Sequence, residues 1–315
     1  MGSSGIRWGF NIGNWKPSRN EWMLAARCVM QEEKDRIGRF VFTKDGKASM
    51  SGRLLIRKVI ADQLKIPWNA IKLGRTERGK PYLANTKSYD YYGKPHAANT
   101  DSDYDYDAAL FPNFNFNLSH SGSYAVLAAE RDRNCGIDIM DVARPGSRDI
   151  PEFFRLMRRQ FTPHEWETIK GAGSEWDQLE MFYRHWCLKE SYVKATGTGL
   201  GVSLQRIEFH PKTMVLKQDV IIKDTELYFD GDLQSSWRFE ETKLDEDHCV
   251  AVALNRDNQD EPPPHFKILS FTDLTSSAIP ILPEDENFWT IFASKEEKPK
   301  RQQRDRTSYQ QPSGY

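Results

Sequence analysis

The chain has 315 residues, with 44 Lys and Arg against 45 Asp and Glu, so its formal net charge of −1 supplies neither a global basic field for nucleic acid nor an acidic excess that would keep the whole chain unfolded. At this length, with 38% hydrophobic residues, it can bury a real core, enough for two modest domains or one two-lobed body. Cys28, Cys135, Cys187 and Cys249 lie far apart without CxxC spacing, which argues against a structural zinc site or a disulfide framework and for a reducing compartment.

In chain order, Ser18 followed by Glu21 has the spacing of a capping box, and Trp22, Ala25, Ala26 and Val29 recur at helical intervals, so a first helix begins there. A second helix is expected over Ser49–Leu64, with Ile56, Ile60 and Leu64 on one face, Arg53 and Arg57 on another, and Pro67 just beyond its end. The turn Arg75–Lys80 follows. Between Thr86 and Phe111 five tyrosines and five aspartates alternate with small polar residues, a composition that reads as a flexible surface insertion.

Phe114–Leu118 and Tyr124–Glu130 read as antiparallel strands joined through Ser119-His120-Ser121-Gly122, and Gly136–Met140 as a third strand. Helices are expected over Ile150–Gln160, after a Thr162 cap with Pro163 first and Glu165 completing the box, and over Ser174–Ala195 with Gly197 as the stop. Strand-like runs follow at Val215–Ile222, Glu226–Phe229, Trp237–Glu241 and Cys249–Leu254. Glu261–Pro264 is a proline break, Phe266–Phe271 an edge strand, and the polar, basic end of the chain, 291–315, a disordered tail. The longest apolar stretches, Tyr124–Ala129 and Val250–Leu254, are strand-sized, so the expectation is a soluble cytosolic protein without a membrane or nucleic-acid partner.

Chemistry concentrates in Trp186–Lys194. Glu190 and Lys194 are four residues apart on one helix face, with Trp186 one turn earlier. In isolation such a pair is a solvated salt bridge worth about 0.3–0.5 kcal/mol. Asp138 gives it context: alternation in Gly136-Ile137-Asp138-Ile139-Met140 puts the acid on the face opposite Ile137 and Ile139. An aspartate there either accepts hydrogen bonds from a neighbouring loop or joins a second carboxylate in a hard oxygen site for Mg²⁺. Arg75-Thr76-Glu77-Arg78-Gly79-Lys80-Pro81 sets three cations around a glycine, and Asn117-Leu118-Ser119-His120-Ser121-Gly122 offers hydroxyl, imidazole and backbone donors; each is also an ordinary turn when read alone. Gly197-Thr198-Gly199-Leu200-Gly201 does not have Rossmann spacing and follows a helix instead of opening one.

Taken together and in this order, Arg75–Pro81, Phe116–Gly122, Gly136–Ile139 and Trp186–Lys194 resemble the signature set of the Sfp-type 4′-phosphopantetheinyl transferases. The resemblance implies an α+β monomer of two similar lobes related by a pseudo-twofold, with the active site in the cleft between them: 1–130 as the N-terminal lobe, carrying the insertion 86–111, and 131–290 as the C-terminal lobe with the metal-site motifs. It implies Mg²⁺-dependent transfer of 4′-phosphopantetheine from coenzyme A to a serine of apo acyl-carrier or peptidyl-carrier domains, of the fatty acid synthase and aminoadipate-semialdehyde dehydrogenase type. By the same resemblance Asp138 and Glu190 hold the metal, and Asp138, Glu190 and Lys194 carry the catalysis. Arg36, Arg75, Thr76, Glu77, Arg78, Gly79, Lys80, Asn117, Leu118, Ser119 and His120 join Glu190 and Lys194 in binding the coenzyme, with His120 at its 3′-phosphate. Bacterial members of that family commonly carry a third acid two residues after the strand aspartate, where this chain has Met140, so the resemblance leaves two protein carboxylates expected at the metal. The alternative is a noncatalytic coenzyme A or carrier-protein binding module on the same scaffold.

Overall fold

The computed structural model describes residues 5–77, 79–84, 114–146, 148–255 and 262–297; the tyrosine/aspartate insertion, Arg78 and the tail beyond 297 lie outside the described residues. Strand β1 (Ile6–Asn11) precedes the expected first helix, α1 (Arg19–Arg27), whose Ser18 and Glu21 form the capping box. A charged helix absent from the sequence expectation, α2 (Gln31–Gly38), follows; Glu33 folds back to accept from the Met30 amide, and Ile37 supplies its core contact. Helix α3 (Thr43–Leu64) starts six residues earlier than expected and stops at Lys65, whose φ of 57° is left-handed. On the face that carries its arginines, Arg57 is fully buried and donates to the carbonyls of Trp68 and Ile71. The short strands β2 (Leu73–Arg75) and β3 (Pro81–Leu83) form a hairpin around the arginine turn.

Strands β4 (Phe114–Ser121) and β5 (Tyr124–Arg131) pair antiparallel in full register. Ser119, His120 and Ser121, expected in the connecting loop, belong to β4 itself; the turn is only Gly122-Ser123, and Gly122 has the positive φ (54°) that a tight hairpin requires. Strand β6 (Cys135–Asp141), helices α4 (Ile150–Met157) and α5 (Pro163–Lys170), and the long α6 (Glu175–Thr196) follow as the signals indicated, with Gly197 left-handed at the stop. The expected strand over Val215–Ile222 does not form. The chain turns at Asp219, with a φ of 58°, and only isolated bridges at Gln218 and Ile222 touch a neighbour. The second half closes with β7 (Ile207–His210), β8 (Glu226–Phe229), β9 (Asp232–Leu233), β10 (Trp237–Asp245) and β11 (His248–Asn255).

The last described elements return to the first half. Strand β12 (Lys267–Leu269) pairs parallel with β1 at the sheet edge, and α7 (Phe271–Thr275) and α8 (Glu286–Ala293) lay Leu274, Phe288 and Phe292 into the first core. Phe292 stacks on Trp22 with centroids 3.8 Å apart. Residues up to 290, expected with the second lobe, and the first residues of the expected tail are therefore held against α1–α3 by aromatic burial; Lys295 also donates to the Gly38 carbonyl.

The fold is α+β. One sheet has the order β12-β1-β5-β4 and another β10-β11-β6. Helix α3 packs against β4 and β5, and α6 against β6 and β11. Strand β5 is apolar from Tyr124 to Ala129 because both of its faces are covered there. Ala125, Leu127 and Ala129 join the α3 core, whereas Tyr124, Val126 and Ala128 meet Ile137, Ile139, Val250 and Val252 of the second sheet. A buried ion network crosses the same seam: Arg7 of β1 contacts Glu130 and Glu240, both at 2.7 Å. All four cysteines are buried and free, and among the described residues no helix is long and apolar enough to cross a membrane.

Candidate active site

Helix α6 owes its position to an apolar stripe, Leu179, Phe182 and Leu188 among others, buried in the second core, and to close approach by β6. A Cβ added to Gly136 would run into the Ser191 carbonyl and the Ala195 amide, so glycine is what lets strand and helix touch. On the flank of α6 that this packing leaves open, Trp186, Glu190 and Lys194 recur every four residues and line a cavity of about 470 Å³. Its other walls are β4 at 118–121 and β6 at 138–140, so residues far apart in sequence converge there.

Asp138, 5% exposed, stands at the centre. Its Oδ1 accepts from Lys194 Nζ (2.6 Å) and from Ser119 Oγ (2.7 Å), while Lys194 Nζ also donates to Ser119 Oγ (2.9 Å) and to the Ile137 carbonyl (3.3 Å). Oδ2 is buried without a hydrogen-bond partner. Burial raises the Glu190 pKa, the Asp138 charge raises it further, and Lys194 opposes both. Two carboxylates that repel each other, one with an orphaned oxygen, are a hard-donor pair suited to a divalent cation. Among the described residues no three His, Cys, Asp or Glu side chains cluster as a metal site, and Met140 lines the cavity where alternation places the next side chain after Asp138.

The other expected residues divide. Leu118, Ser119 and His120 line the cavity. Asn117 does not: it is buried, and its Oδ1 accepts from the Ile137 amide, tying β4 to β6. Arg75, Thr76, Glu77 and Gly79 are exposed on the β2–β3 turn away from the cavity wall, with Arg75 donating to the Gly79 carbonyl. Lys80 Nζ donates to the Lys194 carbonyl (3.3 Å), which lays this turn against the end of α6. Arg36 is exposed on α2, and Arg78 lies outside the described residues. Lys189, the neighbour of Glu190 on α6, is fully buried, paired with Glu165 at 2.7 Å and donating to the carbonyls of Leu204 and Ile207; it belongs to the core.

One cation was missed by sequence reasoning. Arg53, on α3 where Leu118 meets Gly52, is half-buried with its Nη1 3.6 Å from Glu33 Oε1. Burial lowers its pKa, Glu33 opposes this, and the charges of Arg75, Arg36 and Arg57 lower it further. Arg53 therefore joins the two arginine-bearing elements that sequence alone left separate. The His120 pKa is lowered first by the protein wall flanking its accessible ring and then by Lys194, with Asp45 opposing and Arg53 adding. The charges of Lys194 and Arg53 thus act on His120, and those of Arg36 and Arg75 act on Arg53. The signal for Arg53 was its one-turn spacing from Arg57, which does not reveal that Arg57 is enclosed among backbone carbonyls while Arg53 lies beside Glu33.

Residues 13–132 match the family described as 4′-phosphopantetheinyl transferase, N-terminal, and residues 134–253 match the 4′-phosphopantetheinyl transferase superfamily. The L-aminoadipate-semialdehyde dehydrogenase-phosphopantetheinyl transferase of Homo sapiens is 50% identical over 307 residues, covering 94% of this chain and 93% of its own length. That of Xenopus laevis is 49% identical over 315 residues, covering 97% of each. A phosphopantetheinyl transferase of Thraustochytrium is 33% identical over 252 residues, 78% of this chain and 77% of its own length. With both halves matched and a cavity that unites the motifs of each, the chain belongs to the 4′-phosphopantetheinyl transferase superfamily.

Proposed function

We propose that this cavity is where the 4′-phosphopantetheine moiety of coenzyme A passes to a serine of an apo acyl-carrier or peptidyl-carrier domain, with release of adenosine 3′,5′-bisphosphate. The observation that carries the assignment is the unpartnered, buried Oδ2 of Asp138 in one cavity with Glu190 and Lys194. A structural aspartate has its oxygens satisfied by protein. A carboxylate left half-satisfied beside a second acid fits Mg²⁺, which prefers oxygen donors and keeps several waters. Asp138 and Glu190 are the residues that would hold it. When bound, the ion stabilises negative charge on the diphosphate oxygens.

The chain's own residues divide the remaining work. Lys194 adds a fixed cation at the phosphates, and His120, Arg53, Arg36, Arg75 and Lys80 grip the phosphate-bearing nucleotide end. The nucleophile belongs to the carrier domain, so Ser119 and Ser121 attack nothing. As the carrier serine oxygen bonds to the pantetheine-side phosphorus and the bond to the departing nucleotide breaks, the hydroxyl proton passes to Glu190, whose pKa is raised by burial toward the range of a proton acceptor.

The names of the relatives point to carrier domains of the aminoadipate-semialdehyde dehydrogenase type, and fatty acid synthase carriers offer the same chemistry. Buried free cysteines fit a reducing compartment such as the cytosol, where the protein would work as a monomer. The division between the halves that we propose at 130/131 lies at the end of β5, ahead of the turn into β6. Intact-protein mass spectrometry of an apo carrier tests the reading: the carrier gains one phosphopantetheine only with both coenzyme A and Mg²⁺ present. Coenzyme A binding without any mass gain selects the noncatalytic binding module instead.

A further inference from the structure

Three polar side chains of β4 at alternating positions, Asn117, Ser119 and Ser121, reach across the seam to β6. Asn117 accepts from the Ile137 amide, and Ser121 accepts from the Asp141 amide. Ser119 differs, because its partners are side chains of the cavity. A carboxylate only accepts and an ammonium only donates, so the directions are forced: the Ser119 hydroxyl donates to Asp138 Oδ1 and accepts from Lys194 Nζ. The hydroxyl is 2.7 Å from one group and 2.9 Å from the other, while Lys194 Nζ itself lies 2.6 Å from the same Oδ1. Ser119 is 8% exposed and Asp138 5%, so water has little room to substitute for the missing bond.

We propose that Ser119 is a positioning residue. From the first half of the chain it fixes the carboxylate of the second half, holding Oδ1 toward Lys194 so that Oδ2 stays available to a divalent cation. This replaces the expectation that its side chain grips the coenzyme, and it rests on the metal reading above. Without the hydroxyl the carboxylate is free to turn and offer either oxygen to the Lys194 ammonium, which then competes with the cation for both.

The test is Mn²⁺ affinity of the full-length protein in the presence of coenzyme A, read from the electron paramagnetic resonance signal of free Mn²⁺. Ser119→Ala weakens Mn²⁺ binding about 10–100-fold, the effect of losing a group that orients a metal ligand. Ser119→Thr, which keeps a hydroxyl, recovers most of that loss. Asn115→Ala removes a seam hydrogen bond to the Arg133 carbonyl and leaves Mn²⁺ affinity unchanged. If Ser119→Ala does not fold, the near-isosteric Ser119→Cys, a poor donor, gives the same reading. Wild-type Mn²⁺ affinity in the Ala or Cys variant, with only the KM for coenzyme A raised, makes Ser119 a coenzyme contact and overturns the proposal while the metal site stands. Failure of the wild-type protein to bind Mn²⁺ overturns the metal reading, and the proposal with it.

Discussion

Lys194 Nζ sits 2.6 Å from Asp138 Oδ1, so one oxygen of the strand carboxylate is neutralised by the helix while the other has no protein partner. Replacing the lysine by Lys194→Met leaves a buried anion with one hydroxyl for company. Loss of a charge-assisted bond to a buried acceptor, reduced by the partial exposure of Lys194, is expected to cost about 1–3 kcal/mol in chemical denaturation. Transfer to an apo carrier falls at least ~100-fold. Adding Asp138→Asn restores much of the stability and none of the activity; a double mutant whose losses simply add contradicts the coupling.

Glu190 separates stability from function. Its pKa is raised by burial and then by Asp138, so ionisation disfavours the folded state. The favourable contribution of its protonated form is present below the unfolded carboxyl value and is lost as pH rises through the folded one. Glu190→Gln removes that penalty. At pH 7 the variant is expected to denature at equal or higher urea, by roughly 1 kcal/mol, while mass spectrometry finds no modified carrier.

Gly136→Ala tests whether strand and helix contact assembles the site. The new methyl would overlap backbone atoms of Ser191 and Ala195, which cannot turn aside as a side chain can. A loss of about 3 kcal/mol or more is expected, with the folded fraction also slower because β6 and α6 move apart between Asp138 and Glu190. Wild-type thermal stability in this variant would refute the packing argument.

Arg53 is expected to read the nucleotide end. Arg53→Ala lowers kcat/KM for coenzyme A about 10-fold, and leaves that for 3′-dephospho-coenzyme A within about two-fold, because only the first carries the phosphate. Equal losses with both substrates would reduce Arg53 to its structural ion pair with Glu33.

His185 sets an acid limit. It is fully buried, its Nδ1–H donates to the Met181 carbonyl, and burial lowers its pKa to about 3. The unfolded chain takes up this proton near pH 6.5 and the folded chain does not, so stability is lost as pH falls from about 6.5 toward 3, by ~1.4 kcal/mol per pH unit. His185→Gln flattens this part of the urea-midpoint profile; an unchanged slope assigns the acid sensitivity to other groups.

Much of the site was legible because its signals are local. Alternation alone set Asp138 apart from Ile137 and Ile139, and both isoleucines do pack into the core between the sheets. Helical spacing put Trp186, Glu190 and Lys194 on one stripe, and all three line the cavity. Local signals misled where burial overrode polarity. Arg57 and Lys189 are charged residues that the fold encloses: backbone carbonyls accept from Arg57 Nη1, and carbonyls together with Glu165 receive the protons of Lys189. Ser119 and His120 read as turn residues because Ser, His and Gly favour turns, whereas cross-strand pairing with β5 extends the strand to Ser121.

Periodicity, turn chemistry and composition were enough to read α1, α5 and α6 with their caps, the apolar strands and the set of chemical groups, since these follow from a few neighbouring residues. Which of those groups meet is settled by packing between distant segments. Contact between β6 and α6 depends on a glycine 54 positions before Glu190, and the orientation of Asp138 depends on a serine in the other half of the chain. The return of β12, α7 and α8 to the first core was equally invisible, because partner choice between buried faces is a property of shape and packing that no short window of residues encodes.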